Sequence, residues 1–129
     1  MRLLTTLALL AMTTGLIQAA PDHTAPAKLT GTYSIGPESL IDPEPNDSKN
    51  ALLRLHLTGR AAKDLFNAIS SKPTRGVCFD DRVMMKISPA GEIMCAKFPK
   101  GSHEYPKGAH ECWIGINLEK HTLANAFLC

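Results

Sequence analysis

Four cysteines, Cys78, Cys95, Cys112 and Cys129, sit in the second half of a chain that opens with an export leader, and no other feature restricts the fold as much. In an oxidising compartment an even count reads as two disulfides, and small exported domains rely on such bridges because their apolar cores are small. The leader, "MRLLTTLALLAMTTGLIQAA", has one cation at Arg2, an apolar run over residues 3–16 and small residues at Ala19 and Ala20, the layout of a secretory signal peptide. Residues 1–19 are assigned to it, because cutting after Ala20 would place Pro21 directly behind the scissile bond. The run is too short to span a bilayer and no later stretch approaches the length a span needs. No cysteine near the cut could carry a lipid. The expected product is soluble, not inserted in a membrane, and periplasmic or secreted.

Of 129 residues, 19 leave with the leader, and the 110 that remain suffice for one compact domain. Arg2 is the one charge removed, so the 14 Lys and Arg become 13 against 12 Asp and Glu, alternating in sign along the chain. Nothing in this balance forms an electrostatic footprint for nucleic acid or anionic lipid.

Residues 20–50 read as an extended Pro-rich N-terminal segment with a possible first strand, "LTGTYSIG", followed by "PESLIDPEPNDSKN", where Pro43 and Pro45 forbid a helix or central strand. Asn46 opens the glycosylation pattern "NDS", relevant in a eukaryotic source. Residues 51–129 read as a single α+β disulfide-stabilised domain. "LLRLHL" puts Leu53, Leu55 and Leu57 on one face and Arg54 and His56 on the other, a half-buried strand. Thr58 can cap a helix over residues 59–71 whose stripe is Ala61, Ala62, Leu65, Phe66 and Ile69, and Lys72-Pro73 stops it. "VMMKI" and "EIMCAKF" flank "SPAG", a type I turn, and predict a hairpin of residues 83–87 with 92–98. Of Met84, Met85 and Met94, at least two fill the core. "ECWIGINLE" aligns Cys112, Ile114, Ile116 and Leu118, and "TLANAFLC" can return beside it. The fold class expected is one amphipathic helix on a mainly antiparallel sheet of about four to six strands, held by two disulfides.

A reversal about Lys120-His121 sets opposite each other residues whose numbers total 241, Cys112 and Cys129 among them, and facing strand positions lie within disulfide reach. The expected bridges are therefore Cys112 with Cys129, which would pin the chain end, and, by elimination, Cys78 with Cys95.

The stretch "GSHEYPKGAHECWIG" carries the main chemical question, for His103, His110 and Cys112 could ligate zinc or copper, with His121 or Cys129 completing the set. A thiol in a disulfide cannot ligate, Pro106 and Gly108 deny the region a fixed scaffold, and Cys-x-x-Cys spacing is missing, so a metal protein using His103, His110 and His121 is the alternative and no cofactor is expected. No Gly-x-Ser-x-Gly elbow, activated cysteine or phosphate loop occurs, and Asp80-Asp81 reads as a polar turn; a small hydrolase ranks last and the protein is read as not an enzyme. Tyr105 and Trp113, with Lys97, Lys100 and Lys107, could form an aromatic patch with a basic rim, of the kind that concentrates binding energy. Trp113 could equally cover a second apolar layer beneath the helix. The functional expectation is an exported, non-catalytic binding protein, of inhibitor or immunity type, acting on another protein or an envelope component.

Overall fold

The computed structural model describes residues 26–39, 48–76 and 78–127. The leader, residues 40–47 with Asn46, and Cys129 lie outside the described residues. Strand β1 (Gly31–Gly36) leads to β2 (Leu52–Thr58), helix α1 (Gly59–Ala68), β3 (Thr74–Arg75), β4 (Met84–Ile87), β5 (Ile93–Phe98), β6 (Ala109–Asn117) and β7 (Thr122–Ala124). Among the described residues these make a seven-stranded antiparallel sheet in the order β1-β2-β6-β5-β4-β3, with β7 beside the end of β6. The α+β expectation is met in its coarse form, one helix on an antiparallel sheet. The sheet exceeds the expected strand number by β3, a two-residue edge strand with too little apolar pattern to be read from sequence; β7 is the return strand expected from "TLANAFLC", paired with β6 but ending at Ala124.

β2 passes into α1 without a loop. Gly59 makes that turn at φ +65, a conformation that favours glycine. Thr58 occupies the cap position with an extended backbone but makes no side-chain cap bond; its N–H donates to Thr30 O at 3.0 Å, and its carbonyl accepts from the Thr30 hydroxyl at 2.7 Å. The helix ends at Ala68, short of the expected Ser71. Ile69 turns to extended backbone, buries its side chain in the core, and accepts a bond from Lys86 Nζ at 2.8 Å through its carbonyl.

The sheet has apolar side chains on both faces. Under the helix, Leu57, Ala62, Phe66, Ile69, Cys95 and Cys112 form one core, with Leu55, Leu65, Ile93 and Ile114 around it. On the opposite face Val83, Met85, Met94, Ala96 and Phe98 form a second, covered by Phe79, Tyr105, Ala109, Trp113 and Phe127. Met85 and Met94 are the two core methionines expected. The "SPAG" turn is present, Gly91 N–H donating to Ser88 O at 2.9 Å and Ser88 N–H to Ile93 O at 2.8 Å.

The disulfide assignment is overturned. Cys95 and Cys112 face each other across β5 and β6 and are bonded, with Cα atoms 4.0 Å apart, so neither Cys112–Cys129 nor Cys78–Cys95 forms. The cause is register. β6 and β7 pair Asn117 with Thr122, Ile116 with Leu123 and Gly115 with Ala124, residues whose numbers total 239 rather than 241. The reversal at 118–121 is tightened by Asn117 Oδ1, which accepts from the N–H groups of Glu119 and Lys120 at 3.0 and 2.7 Å. β7 then ends at Ala124, leaving that edge of β6 at Cys112 to β5. Among the described residues one disulfide, Cys95–Cys112, is found, against two expected.

Candidate functional site

The polar chemistry of the molecule collects on the face away from the helix. Strand alternation puts Arg54 and His56 of β2 there, and Glu111 and Trp113 of β6. Glu111 is a carboxylate only 6% exposed, and a buried charge of this kind needs partners. It has two: His56 Nε2 lies 3.1 Å from Oε2, and the Tyr105 hydroxyl donates to Oε1. The Tyr105 pKa is pushed up to about 12, first because losing its proton would destroy the bond to Glu111 and set two anions together, and second because the ring is partly buried. His56 stacks on Trp113 with centroids 5.1 Å apart and planes within 5°.

Tyr105 belongs to a loop, residues 99–108, that locks itself. Ser102 Oγ accepts from Tyr105 N–H at 3.1 Å and donates to Tyr105 O at 2.9 Å; Gly101 N–H donates to Pro106 O at 2.9 Å, and Gly108 N–H to Tyr105 O at 2.8 Å. The expectation that Pro106 and Gly108 leave this region without a scaffold is corrected by these bonds. Beside the loop lies a cavity of about 310 Å³. Cys78, Phe79, Val83, Phe98 and buried Ser102 line it, with Asp80, His103 and Glu104 at the margin. Asp80 accepts from Arg82 Nη2 at 2.8 Å and from Arg82 N–H at 3.0 Å, bonds that hold its carboxyl below the usual carboxylate range. Val83 N–H donating to Asp80 O at 2.9 Å makes this stretch the turn expected of it.

The sequence-derived candidates separate. Tyr105 and Trp113 share the second core, so the apolar layer Trp113 covers lies on the face away from the helix and not beneath it, because strand alternation sets it opposite Cys112 and Ile114; there Trp113 packs on Phe79 and Phe127 at centroid distances of 6.0 and 4.8 Å, and Tyr105 on Phe98 at 4.7 Å. Lys100 and Lys107 are exposed on the loop, whereas Lys97 faces the helix side of β5. His103 borders the cavity; His110 lies edge-on to Phe66 at 5.4 Å under the helix, its pKa lowered by burial and by Lys97 and Lys63; His121 sits in the β6–β7 turn at φ 53. Among the described residues no group of three or more His, Cys, Asp or Glu is placed to hold a metal ion.

Two residues of the network, His56 and Glu111, escaped the sequence reading as a pair. Each is recognisable as a polar position of an alternating strand, yet they are 55 positions apart, and only the β2–β6 register joins them. No family model, curated protein or solved structure matches this chain.

Proposed function

We propose that this is a small exported, non-catalytic binding protein that acts on another protein or a cell-envelope component through the 99–108 loop and the cavity beside it. The observation that carries the reading is the cavity's composition: a floor of Phe79, Val83 and Phe98 with Asp80, His103 and Glu104 at the margin. An apolar stem with a cationic tip, the chemistry of a partner's lysine or arginine, fits that arrangement. Lys100 and Lys107, exposed on the same loop, supply outer contacts, and Tyr105 and Trp113 hold the platform from within. The self-bonded loop supports the reading, because a surface already ordered loses little entropy on binding.

Export is supported by the Cys95–Cys112 bridge. We assign a second bridge to Cys78 and Cys129. No described cysteine is a free thiol, Cys95 and Cys112 are spent on each other, and Phe127, two positions before Cys129, packs on Phe79, the neighbour of Cys78, at 5.6 Å.

Cross-linking in the native exported fraction, followed by affinity measurement with the identified partner, tests the function. Glu104→Lys and His103→Trp should each weaken binding by about tenfold or more at unchanged thermal stability, while Lys97→Glu, on the other side of the sheet, should leave it intact. Full affinity in both margin variants overturns the assignment.

A further inference from the structure

Among the described residues β1 is an edge strand, paired on one side by β2 and open on the other. Natural edges are commonly blunted by charge, proline, bulges or a covering element. From Leu29 to Gly36 this one carries none of the first two, its six residues pair with β2 in unbroken register, and the helix lies over β2, β5 and β6 instead. Tyr33 and Ile35, which share a face with Leu55 and Leu53, remain 74% and 51% exposed.

The hydrogen-bond phase identifies which groups the edge offers. Thr58 N–H donates to Thr30 O, so that pair is a hydrogen-bonded one. Alternation along an antiparallel ladder then makes Thr32–His56, Ser34–Arg54 and Gly36–Leu52 the next bonded pairs, and directs the N–H and C=O groups of Gly31, Tyr33 and Ile35 away from the sheet.

We propose that β1 pairs antiparallel with β1 of a second copy of this chain, about a two-fold axis at Tyr33. Every facing position in that register, where residue numbers total 66, is compatible. Tyr33 meets the partner's Tyr33, an aromatic cross-strand pair, and Gly31 leaves room for the partner's Ile35. Thr32 meets the partner's Ser34, two hydroxyls that can bond. Lys28 meets the partner's Glu38, whose carboxylate is held on its other side by its own Lys120 at 3.2 Å. A self-pairing strand places every charge on the axis against its like, and this strand has none there. The backbone ladder ends at Ile35, since Pro37 has no N–H to offer, and the Lys28–Glu38 contact is a side-chain pair just beyond it.

Sedimentation equilibrium of the protein purified from the exported fraction tests this, with thermal melting to confirm that variants are folded. The wild type should sediment as a dimer at micromolar concentration. Tyr33→Lys, which sets two cations on the axis, should raise the dissociation constant by about tenfold or more. Lys28→Glu and Glu38→Lys should each weaken the dimer, and the double variant Lys28→Glu/Glu38→Lys should recover it, a rescue specific to this register. A monomeric wild type, a dimer indifferent to Tyr33→Lys, or charge variants without rescue overturns the proposal; a monomer that instead takes up an unrelated strand peptide at β1 overturns it too.

Discussion

Glu111 shows how one side chain organises a face of this protein. Its carboxylate is buried, accepts from the Tyr105 hydroxyl and pairs with His56, so the loop, β2 and β6 meet at a single group. Removing the Tyr105 hydroxyl leaves one carboxylate oxygen without its donor, and Tyr105→Phe should cost about 1–3 kcal/mol at neutral pH, measured by urea unfolding. The same bond has a pH signature. Tyr105 holds its proton to about pH 12 in the fold, whereas an unfolded tyrosine releases it near 10. The native state therefore binds the extra proton in that interval, and its contribution is whole below about pH 10 and lost as the pH rises towards 12. Tyr105→Phe should flatten that part of the stability profile; an unchanged slope would place the titration elsewhere. Tyr105, Glu111 and His56 were each visible in the sequence as polar or amphipathic positions, but a hydrogen bond across 55 residues depends on strand order, which local pattern does not encode.

At the scale of elements, β6 is the hub, since β2, β5 and β7 all pair with it. Its two halves have different neighbours on one side, β5 as far as Ile114 and β7 from Gly115 onward. Gly115 permits the exchange, because a Cβ there would overlap the carbonyl oxygen of Ala124. Gly115→Ala should push β7 off the sheet and lower stability by about 1–3 kcal/mol, with amide exchange rising first at Leu123 and Ala124; unaltered exchange at β7 would refute this account. The strands with clear alternation, β2 and the β4–β5 hairpin, were readable from sequence to within a residue or two, as was the start of α1. The helix end was not, because Ile69 leaves the helical path to serve the core, a tertiary gain that outweighs local helix propensity. β3 was not, because two residues hold no period, and β7 was expected from "TLANAFLC" but not its early end at Ala124.

For the whole molecule, a sheet clothed on both faces within a short chain leaves little apolar area for each core, and the covalent cross-link compensates. Cys95 and Cys112 are separated by 17 positions, a loop for which chain entropy predicts about 3 kcal/mol of stabilisation. The double variant Cys95→Ala/Cys112→Ala should lose about that much, and peptide mapping of unreduced protein should recover Cys95 joined to Cys112; recovery of either cysteine with Cys78 would contradict the fold. The even cysteine count and the alternating runs led from sequence alone to a cross-linked α+β chain, because composition and period act locally and survive any arrangement of the strands. Which cysteines meet, and which histidine finds Glu111, was decided only in three dimensions: the first by a β6–β7 register shifted by two positions and by β5 lying beside Cys112, the second by the register of β2 on β6, and no residue's own propensity records strand order or register.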